Sequence, residues 1–179
     1  MALLPPHRPA RVLKSRWARA RPWLAQAGFI AAVVLGMNGW QTRSLLNGEH
    51  LPGGFRPMVG GGPVDLAALF GRPTVVAVWA PWCGVCAATS GNLRLLQKLV
   101  GEHAQVLSIA MDYPNLGSVQ AYMKNHAVRY PVVLGDGPLG EALHVQAFPT
   151  FFFLDAQGKV RHASVGYTTT LGMLFRLFV

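Results

Sequence analysis

The hydrophobic pattern along this chain changes character three times. From Pro22 to Thr42 no residue is charged, and the centre of that stretch reads FIAAVVLGM. It shows no opposite polar face, so a membrane-spanning helix is predicted over 22–42. Trp23 and Trp40 bracket it, roughly 25 Å apart in a helix, against a hydrocarbon core about 30 Å thick. Indole rings favour that boundary. Residues 43–63 include NGEHLPGGFRPMVGGGP, a Gly- and Pro-rich composition that reads as a tether without a core of its own.

Beyond residue 63 the pattern is that of a folded domain, 64–179. Val64–Phe70 is a short apolar element ended by Gly71 and Pro73. The unbroken run TVVAVWA, Thr74–Ala80, predicts a strand covered on both faces. From Cys83 to Val100, Leu93, Leu96, Leu99 and Val100 recur at helical spacing, and Gly101 stands at the C-terminal cap. Val106–Met111 reads as a second buried strand, followed by a helix over 118–126, Val132–Leu134 and the short segment Leu139–Val145. Phe151–Leu154 and Val160–Val165 form a hairpin around AQGK, and a closing helix starts near Thr169. The order βαβ, helix, ββα predicts an α/β domain with a mixed central sheet and helices on both faces.

Charge changes the picture at one end only. The net charge is +9, yet Arg8, Arg11, Lys14, Arg16, Arg19, Arg21 and Arg43 fall in the first 43 residues, which hold no acid. The remainder is close to neutral, which argues against a nucleic-acid groove on the domain. Lys and Arg ahead of a span and scarce after it place residues 1–21 as a cytoplasmic arm, with 22–42 a signal anchor and the domain exported. No small-x-small cleavage site follows LGMNGW, so the anchor is expected to be retained.

Candidate chemistry sits in WAPWCGVC, residues 79–86, which holds the only two cysteines. Such a pair can be a redox couple, half a metal site, or a crosslink. Trp79-Ala80-x-Trp82-Cys83-Gly84-x-Cys86, opening a helix straight after a buried strand, resembles the thioredoxin active site. Ala147-Phe148-Pro149-Thr150, ahead of FFFLD, resembles the cis-proline loop of that fold. With the N-terminal anchor, the chain is similar to membrane-tethered thioredoxin-like proteins of the bacterial envelope, the TlpA-like disulfide reductases and the suppressor-of-copper-sensitivity protein D group. The resemblance implies a thioredoxin-like fold, an inner-membrane protein with a periplasmic domain, and copper tolerance as one setting.

The residues carry a chemical argument of their own. Cys83 falls in the first helical turn, where free N–H groups and the dipole favour an anion, so its thiol pKa should lie below the free value of about 8.5. Its thiolate is the expected nucleophile on a substrate disulfide, and Cys86, one turn on, the resolving thiol. Trp82 and Phe148 are expected to give an apolar rim for the client chain. By resemblance, Phe148 pairs its backbone with the client, Pro149 bars metal from the cysteines, and Thr150 completes the client-facing loop.

The alternatives are weaker. A crosslink closing about four residues is worth only roughly 2 kcal/mol. A metal site needs more ligands than two thiolates, and the histidines at 7, 50, 103, 126, 144 and 162 show no paired ligand spacing. No cofactor or metal is therefore expected beyond the Cys83–Cys86 couple, and a metal-handling or chaperone module is the competing function.

Several residues depart from the family pattern. Ala77 replaces the buried acid that helps deprotonate the second cysteine, and Thr150 stands where cytochrome-c-maturation reductants often carry an acid. Thr89 and Gly91 replace a glutamate and a proline of the active-site helix. Gly84-Val85 lacks the histidine of strong oxidants, which favours a reductant. The expected partners are protein thiols and disulfides and a cysteine-bearing membrane relay, or a quinone-linked oxidase for the opposite direction. A monomer is expected.

Overall fold

A computed structural model describes residues 17–43, 45, 48–69 and 71–179. Most of the basic arm expected over 1–21 therefore lies outside the described residues, as does Phe70. The chain divides into two units after Met37. Helix α1 spans Trp17–Gln41 and leaves Trp23, Leu24, Phe29, Leu35 and Trp40 exposed. Among the described residues, however, no helix is long and apolar enough to cross a membrane. The span expected over 22–42 is helical as far as Gln41.

The second unit is built on a five-stranded sheet of β3 (Thr74–Trp79), β4 (Gln105–Ala110), β5 (Val132–Leu134), β6 (Thr150–Leu154) and β7 (Val160–Val165). Their order is β5-β4-β3-β6-β7. β3, β4 and β5 run parallel, and β6 and β7 are each antiparallel to their inner neighbour. Helix α2 (Gly84–Val100) follows β3, α3 (Leu116–Asn125) and α4 (Gly137–Ala142) flank β5, and α5 (Thr170–Phe178) closes the chain. This is the expected α/β layout with a mixed sheet between helices.

The unbroken apolar run of β3 has a simple cause. Successive side chains point to opposite faces of a strand, and here both faces are covered. Val75, Ala77 and Trp79 pack with Leu93 and Leu96 of α2, Tyr122 of α3 and Met173 of α5. Val76 and Val78 face the other way, onto Leu66, Leu139 and Leu143. The three consecutive phenylalanines of β6 divide likewise, Phe151 and Phe153 to the first cluster and Phe152 to the second.

Two stretches differ from the sequence reading. Residues expected as a free tether are packed on the domain. Leu45 and Leu51 are buried, the Val59 N–H donates to Val132 O at 2.9 Å, and the Leu134 N–H donates to Pro57 O at 2.8 Å. Strand β1 (Phe55–Arg56) pairs with β2 (Val64–Asp65), ahead of a 3-10 turn over Leu66–Leu69. The glycines there set turns: Gly48, Gly54 and Gly60 hold φ of 77°, 117° and 77°, a region other residues seldom enter. The segment after β5 folds as α4 because Asp136 caps it, its carboxylate accepting from the Leu139 N–H at 2.9 Å.

Candidate active site

The site forms where β3 gives way to α2. The chain turns through Ala80-Pro81-Trp82, the Cys83 N–H donating to Ala80 O at 3.1 Å. Cys83 is extended, at φ −81° and ψ 107°, and caps α2. Its sulfur accepts the Cys86 N–H at 3.1 Å, as a serine or aspartate oxygen would at such a cap. The two cysteines are joined as a disulfide with Cα atoms 5.2 Å apart. Both are buried, and no acid in the first turn of α2 opposes a negative charge on Cys83.

Around the pair stand the other expected residues. Trp82 is 64 % exposed, and its ring meets that of half-buried Phe148 edge-on at 5.9 Å. The Phe148–Pro149 peptide bond is cis. Pro149 and Cys86 line one small cavity, which places the loop against the pair. Thr150 does not join this rim. It is fully buried as the first residue of β6, and its hydroxyl donates to Ala147 O at 2.8 Å.

Three participants escaped the sequence reading. The Trp82 indole N–H donates to Asp112, to the backbone oxygen at 3.0 Å and to the carboxylate at 3.1 Å. Asp112 has φ 46°, a left-handed conformation that Asp tolerates better than most residues. Its one sequence signal is position: it follows the carboxyl end of β4, where parallel sheets gather functional groups. Behind the pair, Tyr122 stacks on Trp79 at 4.0 Å between ring centroids, and with Tyr130 it lines the cavity at Cys86. Burial pushes the Tyr122 hydroxyl from 10.0 up to about 12. Burial chiefly raises Tyr130 as well, with Tyr122 adding to the rise and Arg94 opposing it.

The wall of that cavity is Ala77, Trp79, Thr89, Leu93 and Phe151 besides the tyrosines, so no carboxylate faces Cys86 there. The Trp79 indole N–H is buried and, among the described residues, unpartnered. Nor do the described residues gather three or more His, Cys, Asp or Glu where they could hold a metal ion. A cysteine pair at a helix start beside a cis-proline loop suits exchange of sulfur–sulfur bonds.

The profile of the Redoxin family matches residues 47–173. The chain belongs to the Redoxin family. This redoxin is 31 % identical over 108 residues to a thioredoxin-like protein of Haemophilus influenzae, covering 60 % of this chain and 62 % of that one. To the thiol:disulfide interchange protein DsbE of Yersinia pestis it is 32 % identical over 98 residues, covering 54 % and 50 %. It thus spans between half and two thirds of the length of these curated relatives. Among solved structures, a thiol:disulfide interchange protein of the thioredoxin family from Chlorobium tepidum superposes with a TM-score of 0.64 at 25 % identity, over 73 % of this redoxin and 97 % of that chain. StoA from Bacillus subtilis superposes at 0.59 with 18 % identity, covering 68 % and 92 %. The domain of this redoxin has the thioredoxin-like fold.

Proposed function

We propose that this redoxin is a thiol–disulfide oxidoreductase acting on protein cysteines through Cys83 and Cys86. The observation that carries the reading is the Cys83 sulfur at the α2 cap, accepting the Cys86 N–H at 3.1 Å. A partial positive charge there stabilises thiolate over thiol. The Cys83 thiolate attacks one sulfur of a client disulfide, forming a mixed disulfide and releasing the other client sulfur as thiolate. The Cys86 thiolate then attacks the Cys83 sulfur. The second client thiol leaves, the Cys83–Cys86 disulfide forms, and two electrons and two protons have passed to the client. Trp82, Phe148 and Pro149 receive the client chain.

The finer reading has support of a different kind. Export and a periplasmic site are supported by the basic residues ahead of the uncharged stretch 22–42. A membrane anchor is supported by the uncharged stretch 22–42 and the exposed apolar side chains of α1, though no described helix is long and apolar enough to cross by itself. The reductive direction is favoured by Gly84-Val85, which brings no histidine to Cys83. In this exported reading, electrons reach the Cys83–Cys86 pair by exchange with a separate cysteine-bearing membrane partner. Insulin reduction with dithiothreitol tests the core of the proposal. The protein should accelerate it and Cys83→Ala should not; equal rates for the two would remove the assignment.

A further inference from the structure

One face of the domain carries a chemistry that the dithiol does not use. Helices α2, α3 and α5 pack on the same side of the sheet. Asn92 ties α2 to the start of α5, its side-chain amide donating to Thr168 O at 3.0 Å and its backbone carbonyl accepting the Thr170 hydroxyl at 3.3 Å. On the outer side of this pair, Leu95, Leu99, Leu171, Phe175 and Phe178 are exposed, Leu171 by 78 %. Leu171, Phe175 and Phe178 recur at i, i+4 and i+7, one continuous stripe along α5.

Charge decides what such a face can meet. Neither α2, α3 nor α5 contains an Asp or Glu. Exposed Arg94, Lys98 and Arg129 surround a groove of about 620 Å³ between α2 and the segment after α3. Among the described residues none of these cations is ion-paired. A second copy of the chain would bring like charges together. An anionic surface with an apolar interior meets both demands, because side chains such as Leu171 and Phe175 enter the acyl boundary while Arg and Lys reach headgroup phosphates.

We propose that the α2–α5 face docks on an anionic phospholipid surface, with Arg94, Lys98 and Arg129 taking headgroup phosphates. Docking would hold the domain flat on the bilayer and fix the direction from which clients reach Cys83. The inference does not depend on the thiol chemistry or on how α1 meets a membrane.

Hydroxyl-radical footprinting of the full chain tests it, in vesicles of phosphatidylcholine alone and in vesicles containing phosphatidylglycerol. Leu95, Leu99, Leu171, Phe175 and Phe178 should be protected only in the anionic vesicles, while Phe55, exposed elsewhere on the domain, reacts equally in both. Neutralising Arg94 and Lys98 to Gln should weaken the protection by roughly fivefold for each charge removed. Equal oxidation in both vesicle types would overturn the proposal. So would protection that ignores lipid charge and grows with protein density, the mark of a second copy.

Discussion

Trp82 and Asp112 are joined across the ends of β3 and β4, the indole N–H reaching both the Asp112 carboxylate at 3.1 Å and its backbone oxygen at 3.0 Å. Together with the edge-on contact to Phe148, the bond fixes an exposed ring beside Cys83. Asp112→Val should be costly twice over. It removes the carboxylate and forces a β-branched residue to φ 46°, for a loss of about 1–2 kcal/mol. Asp112→Asn keeps a residue that tolerates this conformation and should stay within about 0.5 kcal/mol of the parent. Urea unfolding of the two variants separates conformation from charge.

The two cysteines should fail in different ways. Cys86→Ser leaves Cys83 able to attack but removes the thiol that resolves the adduct, so mixed disulfides with clients should accumulate. Cys83→Ser should give none. Non-reducing electrophoresis with mass spectrometry reads both results, and adducts on Cys86 in the Cys83→Ser variant would reverse the assigned roles.

These roles rest on features legible in the sequence. The dithiol, its helix and the cis-proline loop are each encoded within a few neighbouring residues, so local pattern found them. Asp112 and Tyr122 were not legible, because they reach Trp82 and Trp79 only through pairing of distant segments. The stretch 43–63 misled for a different reason: Gly and Pro mark turns as readily as tethers, and the burial of Leu45 and Leu51 with the Val59 and Pro57 hydrogen bonds to the sheet separates the two. Thr150 lies next to Pro149 in sequence, yet it opens β6, a strand covered on both faces, and is buried there.

Alkaline unfolding should carry the signature of the buried tyrosines. Tyr122 is raised from 10.0 to about 12 by burial, so the folded state holds its proton more tightly than the unfolded chain. That contribution is fully present below pH 10 and is lost as pH rises through about 12. In Tyr122→Phe, unfolding free energy should fall less steeply with pH across this window. A slope identical to that of the parent would mean that Tyr122 ionises equally well in both states.

The core makes a plainer demand. Phe152 is fully buried between β6 and the Leu139 and Leu143 side chains of its cluster. Phe152→Ala should cost about 3–5 kcal/mol in urea or thermal unfolding, since the surrounding sheet can collapse only partly into the space.

Direction in cells has its own readout. If the chain is a reductant, alkylation trapping should find the Cys83–Cys86 pair mostly reduced, and oxidised when its membrane relay is deleted. A pair oxidised in both strains would assign the opposite direction while leaving the exchange chemistry intact.

The central claim is that Cys83 and Cys86 form a reversible two-electron couple. Equilibrating the full chain across a series of glutathione ratios extended to lower potentials with dithiothreitol, then counting free thiols by mass after alkylation, measures that couple directly. The account predicts a single transition in which both thiols appear together, with a slope of about 30 mV per tenfold change as a two-electron couple requires. A pair that stays disulfide-bonded across the whole series, or thiols that titrate one at a time with glutathione retained on each, would contradict it.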